Sequence, residues 1–340
     1  MAEQPITYTA EAYTAERALG TRSQQCQHSR RFRLAAASGQ RLPHRQPTVD
    51  MAPMSRGIRL VPPQELREIE SQSYYRVRPE DRPTHPLRMD EECLRYTSQT
   101  KRNFFFGVIR GLGTIGALLV TPVFFLTAIM LAVIDTNNAR LGSFLSNFIS
   151  SFRWEMVLSV LAISVVCWGG ATLIYRLFPN WAAGYQPGPM WELNRRTGKV
   201  IVFANPAKRR TAWQVAHELP FDEFDCYLQS TPSPQGLPQF NLSLVHYREE
   251  AHVALVGMFG ATSSHVEQRA AWDMVQRYMD TSQPLPEIPV FEIYRPLDPA
   301  TIAHDRRTGR NPRFWRDMDD ATYERHVSEH QDKLNAFYRG

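Results

Sequence analysis

The chain has 340 residues, 39 Lys and Arg against 34 Asp and Glu, and 43% apolar residues. That length accommodates one or two water-soluble domains, and a net charge of +5 is too modest to single out nucleic acid as a partner; it suits an anionic lipid surface equally well. The four cysteines, Cys26, Cys93, Cys167 and Cys226, lie far apart without C-x-x-C spacing, which speaks against a zinc knuckle, an iron–sulphur site or a disulfide scaffold.

Residues 1–60 contain few large apolar side chains. Between Arg22 and Arg59, the eight arginines Arg22, Arg30, Arg31, Arg33, Arg41, Arg45, Arg56 and Arg59 face a single acid, Asp50. A segment of this composition is expected to bury no core and to stay disordered. Met51 and Met54 follow it and offer alternative starts to Met1. No apolar run of signal-peptide length opens the chain, so no cleaved export signal is expected. Residues 61–103 read as a cytoplasmic arm with short helices at Gln64–Glu70 and Met89–Tyr96, separated by Pro79, Pro83 and Pro86.

Two apolar runs follow. The first expected span covers 104–134, and residues 111–134 read GLGTIGALLVTPVFFLTAIMLAVI without a charged side chain. About twenty helical residues cross about 30 Å of hydrocarbon, so this run is long enough to span. Pro122 removes a donor inside it and predicts a kink. The second run, 156–175, reads MVLSVLAISVVCWGGATLIY, with Trp154 and Tyr175 placed as interface anchors. Gly107, Gly111, Gly169 and Gly170 offer small surfaces for helix packing, within one hairpin or between chains by self-association. Neither run holds an Asp, Glu, Lys or His, which favours an anchor over a conduit.

Between the runs, 135–155 forms an external loop. Phe144, Leu145, Phe148, Ile149 and Phe152 recur there at helical spacing, as in a helix lying in the membrane interface. Lys101 and Arg102 before the pair, and Arg176, Arg195, Arg196 and Lys199 after it, outweigh Arg140 and Arg153 in the loop. The positive-inside rule then places both termini in the cytoplasm.

Strand and turn signals dominate 189–299, read as a cytoplasmic α+β domain of several antiparallel strands followed by an amphipathic helix. Met190–Leu193 and Lys199–Phe203 flank a five-residue link ending in Gly198, which suits a hairpin. Further strands are expected at Phe224–Leu228, Asn241–Tyr247 and Ala254–Phe259. Ser264 and Glu267 form a capping-box pattern before a helix carrying Val266, Ala270, Met274 and Tyr278 on one face. In the charged tail, 300–340, Asp319 is placed to cap a terminal helix that docks back through Tyr323, Val327, Leu334 and Phe337.

Catalytic motifs are missing. His217 and Glu218 are followed by Leu219, Pro220 and Phe221, so no H-E-x-x-H helix forms, and no nucleophile elbow, phosphate loop or dinucleotide fingerprint occurs. His246, His252 and His265 read as strand-surface histidines, and Asp222, Glu223 and Asp225 as solvated turn acids. No catalytic, cofactor or metal site is expected. Arg195, Arg196, Lys199, Lys208, Arg209 and Arg210 form an acid-free run expected to contact anionic lipid of the inner leaflet.

The order of strands and helix resembles the pleckstrin-homology-like arrangement. With the stretches 191–200 (WELNRRTGKV), 278–286 (YMDTSQPLP) and 311–319 (NPRFWRDMD), the chain resembles an uncharacterised family of two-span bacterial inner-membrane proteins, some encoded beside type VI secretion genes. The expected function is a membrane-anchored cytoplasmic protein-interaction module in the inner membrane, with lipids and a protein as partners and no nucleic acid. The resemblance implies, as an alternative, an immunity or accessory role in type VI secretion; a membrane-tethered enzyme is the third reading.

Overall fold

The computed structural model describes residues 6–21, 29–45, 52, 61–71, 88–137, 143–152, 154–182, 184–233 and 235–339. Cys26, Met51, Met54, Arg140, Arg153 and the prolines at 79, 83 and 86 lie outside the described residues. The chain divides into two compact units, one made of Met1–Ser98 and Pro187–Gly340, the other of Gln99–Gln186.

The first unit starts with α1 (Ala15–Thr21), α2 (Arg30–Ser38), β1 (Gly39–Leu42), α3 (Pro63–Glu70), β2 (Arg88–Met89) and β3 (Cys93–Tyr96). The helical unit follows: α4 (Lys101–Ile115), a π-helical turn (Gly116–Val120), α5 (Thr121–Asn137), α6 (Phe144–Ser151), α7 (Trp154–Leu177) and α8 (Pro179–Ala182). The chain then returns through β4 (Trp191–Asn194), β5 (Lys199–Phe203), β6 (Val215–Pro220), β7 (Phe224–Pro232), β8 (Pro238–His246) and β9 (His252–Ala254). It closes with α9 (Val256–Phe259), α10 (His265–Met279), α11 (Pro299–Thr308) and α12 (Asp320–Arg339).

Two antiparallel sheets carry the first unit, ordered β1-β7-β8-β9 and β2-β3-β4-β5-β6. One core joins them: Leu94, Trp191, Leu193 and Val200 from the five-stranded sheet meet Phe224, Cys226, Leu242 and Leu244 from the other, with Trp272, Val275, Tyr278 and Met279 of α10. The β4–β5 hairpin forms at the expected place. Gly198 closes it at φ +71°, and a side chain there would also strike the backbone nitrogen of Tyr13, 2.5 Å away.

Four expectations need correction. Met89–Tyr96 is not a helix: Asp90 Oδ1 accepts the N–H groups of Glu92 and Cys93, each at 2.9 Å, and this turn reverses the chain from β2 into β3. Its other partner, β4, arrives from beyond the helical unit, so no local pattern could reveal it. Ala254–Phe259 is not a strand either. Pairing stops at Ala254, and Val256–Phe259 winds into α9, ended by Gly260 at φ +75°. Ser264 stands at the start of α10 as expected, yet its side chain makes no capping hydrogen bond.

The largest correction concerns residues 1–60. Tyr13 is buried against Phe221 and belongs to the central core, β1 extends the four-stranded sheet beside β7, and α2 covers that sheet's outer face. There Ala35 and Phe32 pack on Tyr227 and Val245. Apolar residues are sparse in this segment, but Tyr13, Ala15, Ala18 and Leu42 are buried in the core, and two of its arginines find acids: Arg41 pairs with Asp225 and Arg45 with Asp273. The α+β unit is therefore wider than 189–299. At its other end Asp319 Oδ1 accepts from Thr322 N at 2.8 Å, and α12 docks through Leu334 on Val266 and Ala270, while Phe337 stays exposed.

Candidate functional site

The helical unit holds two helices long and apolar enough to cross a membrane, Lys101–Asn137 and Trp154–Leu177. They face outward with large apolar side chains: Leu118 is 68% exposed and Val166 71%. Contiguous apolar surface of that kind is unfavourable in water. On α7, Trp154 and Tyr175 are separated by roughly 32 Å of helix rise, close to the hydrocarbon thickness of a bilayer.

Aromatic and basic groups collect at one end of the pair. The Tyr175 hydroxyl donates to Asn103 at 2.8–2.9 Å, Phe106 packs on Tyr175 and Trp181, and the Arg102 guanidinium lies 4.8 Å from the Trp181 ring centre. At the other end Phe152 gathers Phe125, Phe148 and Trp154. There α6 folds beside α5, with Asn147 Nδ2 donating to Thr136 Oγ1 at 3.1 Å, so it is a separate helix and no extension of a span.

The helices touch where α4 and the π turn meet α7, through glycines other than those expected. A Cβ on Gly113 would lie 2.6 Å from Trp168 N and 2.7 Å from Ser164 O, and one on Gly116 would lie 2.2 Å from Ser164 Oγ. Gly107 faces only the Tyr175 hydroxyl at 3.8 Å, while Gly111, Gly169 and Gly170 meet nothing within 4 Å. Spacing alone cannot choose a helix face. Pro122, expected to kink the run, follows a π-helical turn in which Thr121 gives both its N–H and its hydroxyl to Gly116 O.

Of the six basic residues expected on lipid, Arg195 is misplaced. Its side chain is fully buried and pairs with Asp298, with Nε 2.9 Å from Oδ1. Its remaining N–H groups go to the carbonyls of Tyr278, Asp280 and Gln283. Burial opposes its charge, but Asp298 more than offsets that and holds the guanidinium above its ordinary value. Tyr8, donating to the same carboxylate at 2.5 Å, is pushed up to about 12 by burial and by Asp298. Arg196 donates to Thr7 O and faces Glu92 at 3.6 Å, and Lys199 pairs with Glu218 at 3.1 Å. Only Lys208, Arg209 and Arg210 remain exposed with no ion pair among the described residues. They line a shallow surface with Thr211, Trp213 and Gln214.

Other polar residues do not converge. His246 Nε2 lies 2.8 Å from Glu223, and its Nδ1 accepts from the backbone of Arg248 and Glu249. His252 Nε2 lies 3.2 Å from Ser243 Oγ, and His265 packs on Phe240. Asp225, expected in solvent, is buried beside Arg41. Among the described residues no three His, Cys, Asp or Glu are grouped to hold a metal ion.

The chain matches no family model, no curated protein and no solved structure. Each of the three stretches that carry the resemblance takes part in buried contacts. Arg195 of 191–200 binds carbonyls of 278–286, and in 311–319 the N–H groups of Trp315 and Arg316 go to the buried Glu292 carboxylate, which also pairs with Arg310 at 2.9 Å.

Proposed function

We propose that the chain is a membrane-anchored interaction module, in which the two apolar helices cross the bacterial inner membrane as a hairpin and the α+β unit works in the cytoplasm. The observation that carries this reading is the ladder between β3 and β4, Cys93↔Asn194 to Tyr96↔Trp191. The helical unit is inserted between two hydrogen-bonded neighbours of one sheet, so the chain must leave and re-enter on the same side of any bilayer those helices cross. Gln99 and Tyr185 continue the pairing as an isolated bridge within the helical unit.

The basic flank at Lys101, Arg102 and Arg176 supports the cytoplasm as that side. β4–β6 in one sheet, β7–β9 in the other and α10 after them support a pleckstrin-homology-like core, to which β1, β2 and β3 are additions; no ligand follows from fold order. A protein met at the inner membrane is the partner class, and a type VI secretion component or toxin is what the resemblance implies.

The test is topological. A reporter active only in the cytoplasm, fused after Gly340, and one active only outside, inserted near Asn138, should both give signal. Reversed signals overturn the orientation, and release of the full chain from membranes by alkaline carbonate overturns the anchoring.

A further inference from the structure

The connection between β5 and β6, residues 204–214, has a fixed shape. Ala204 N donates to Gln214 O at 2.9 Å, Thr211 N to Lys208 O at 2.9 Å and Gln214 N to Thr211 O at 3.0 Å. It is also pinned to the point where the chain returns from the helical unit. Gly188 N donates to Pro206 O at 3.2 Å and Trp213 Nε1 to Pro187 O at 3.1 Å. Ala212, itself buried, fits so closely that a Cβ on Gly188 would lie 2.1 Å from its carbonyl oxygen.

We infer that the Lys208–Arg209–Arg210 tip, with Trp213 at its base, is a second, peripheral lipid contact that takes the anionic headgroups of the bilayer crossed by the helices. This inference rests on the membrane reading above. From Trp181, at the aromatic end of the helical pair, to Pro187 the chain can span at most about 20 Å. The base of the tip therefore hangs on a tether of at most about 20 Å, and each basic residue that reaches the headgroup layer shifts the bound-to-free ratio roughly fivefold within a Debye length of about 8 Å.

Trp213 distinguishes lipid from nucleic acid. A base-stacking platform needs an open ring face. The Arg95 guanidinium lies over this ring at 5.2 Å, and Phe203 packs edge-on at 6.1 Å. What remains is an amphipathic indole, 41% exposed, beside three cations, a combination suited to the headgroup zone.

The experiment uses the full chain in nanodiscs of phosphatidylglycerol or phosphatidylcholine. Cys26 and Cys167 are replaced by serine, and a fluorophore is placed on Thr211→Cys. Lipids with a nitroxide on the headgroup should quench the label strongly in phosphatidylglycerol, weakly in phosphatidylcholine, and less at high salt. K208E/R209E/R210E should abolish the difference between the two lipids. Equal quenching in both, none in either, no effect of salt, or shielding of the label by added RNA instead of by anionic lipid overturns the inference. Co-elution of the chain with the discs reports the helices separately: its loss is a failure of the anchoring, and this inference falls with it.

Discussion

The Arg195 guanidinium and the Asp298 carboxylate form an ion pair with neither side chain exposed to solvent. It joins the β4–β5 turn to the start of α11, and through the Tyr8 hydroxyl it also holds the N-terminal arm. Removing one partner of such a pair strands the other in the interior at a cost of about 3–5 kcal/mol. Arg195→Met is expected to lower the free energy of unfolding by that amount, seen as a lower denaturant midpoint, and R195M/D298N to recover part of it. A single variant that unfolds in denaturant at the wild-type midpoint would refute this.

The N-terminal arm should be required for folding. A chain started at Met51 or Met54 lacks Tyr13, the β1 strand, and the Arg41 and Arg45 partners of the buried Asp225 and Asp273. Tyr13→Ala alone should cost about 3 kcal/mol, as for other large aromatic residues removed from a core. Limited proteolysis of the shortened chain should cut within β7 and β8, which resist in the full chain. Equal resistance of both chains would show the arm to be dispensable.

Helix packing makes a sharper distinction. A Cβ on Gly116 would lie 3.4 Å from Ser164 Cβ, near the range for a disulfide. The pair G116C/S164C should therefore cross-link within one chain. Gly113→Leu should prevent the cross-link, whereas G169L/G170L should leave it intact, because the face at Gly169 and Gly170 is open. Cross-linking that appears only between chains would replace the hairpin with an oligomeric interface.

Acid should weaken the α+β unit through His252, whose pKa is held below its ordinary value of 6.5 by burial and by Arg31. Between those two values the unfolded chain binds a proton that the folded one refuses. Stability from this group is thus present above about pH 6.5 and is lost as pH falls toward the folded pKa. His252→Asn should flatten that slope in urea unfolding followed from pH 7 to pH 5, and an unchanged slope would remove His252 from the account.

Much of the architecture was legible in the sequence: the apolar runs, the β4–β5 hairpin, α3, α10 and α12 each follow from periodicity, turn residues or a capping position. Long-range pairing was not. β3 looks helical until β4 is known, and β1 looks like mobile chain until β7 offers an edge. Arg195 was misread for the same reason, because charge sequence alone cannot tell Arg195, aimed into the core, from Arg209 and Arg210 at a turn. Gly169 and Gly170 have the same composition signal as Gly113 and Gly116, and only the rotation of each helix about its axis separates them.

The place of the helical pair within the β3–β4 ladder also sets an order of events during synthesis. β3 leaves the ribosome well before β4, and residues 97–190 must follow before the five-stranded sheet can close. Closing a long flexible loop carries an entropic cost that grows with its length. A hairpin already joined from Gly113–Ser164 to Asn103–Tyr175 leaves only 97–102 and 176–190 to be closed as loop. Under the membrane reading proposed above, the bilayer would serve as a folding template for the α+β unit. Until the helices are seated, Leu94 waits without Leu193, its partner across the ladder. In nascent chains of increasing length, protease protection should rise across the helices first and across the sheet only afterwards.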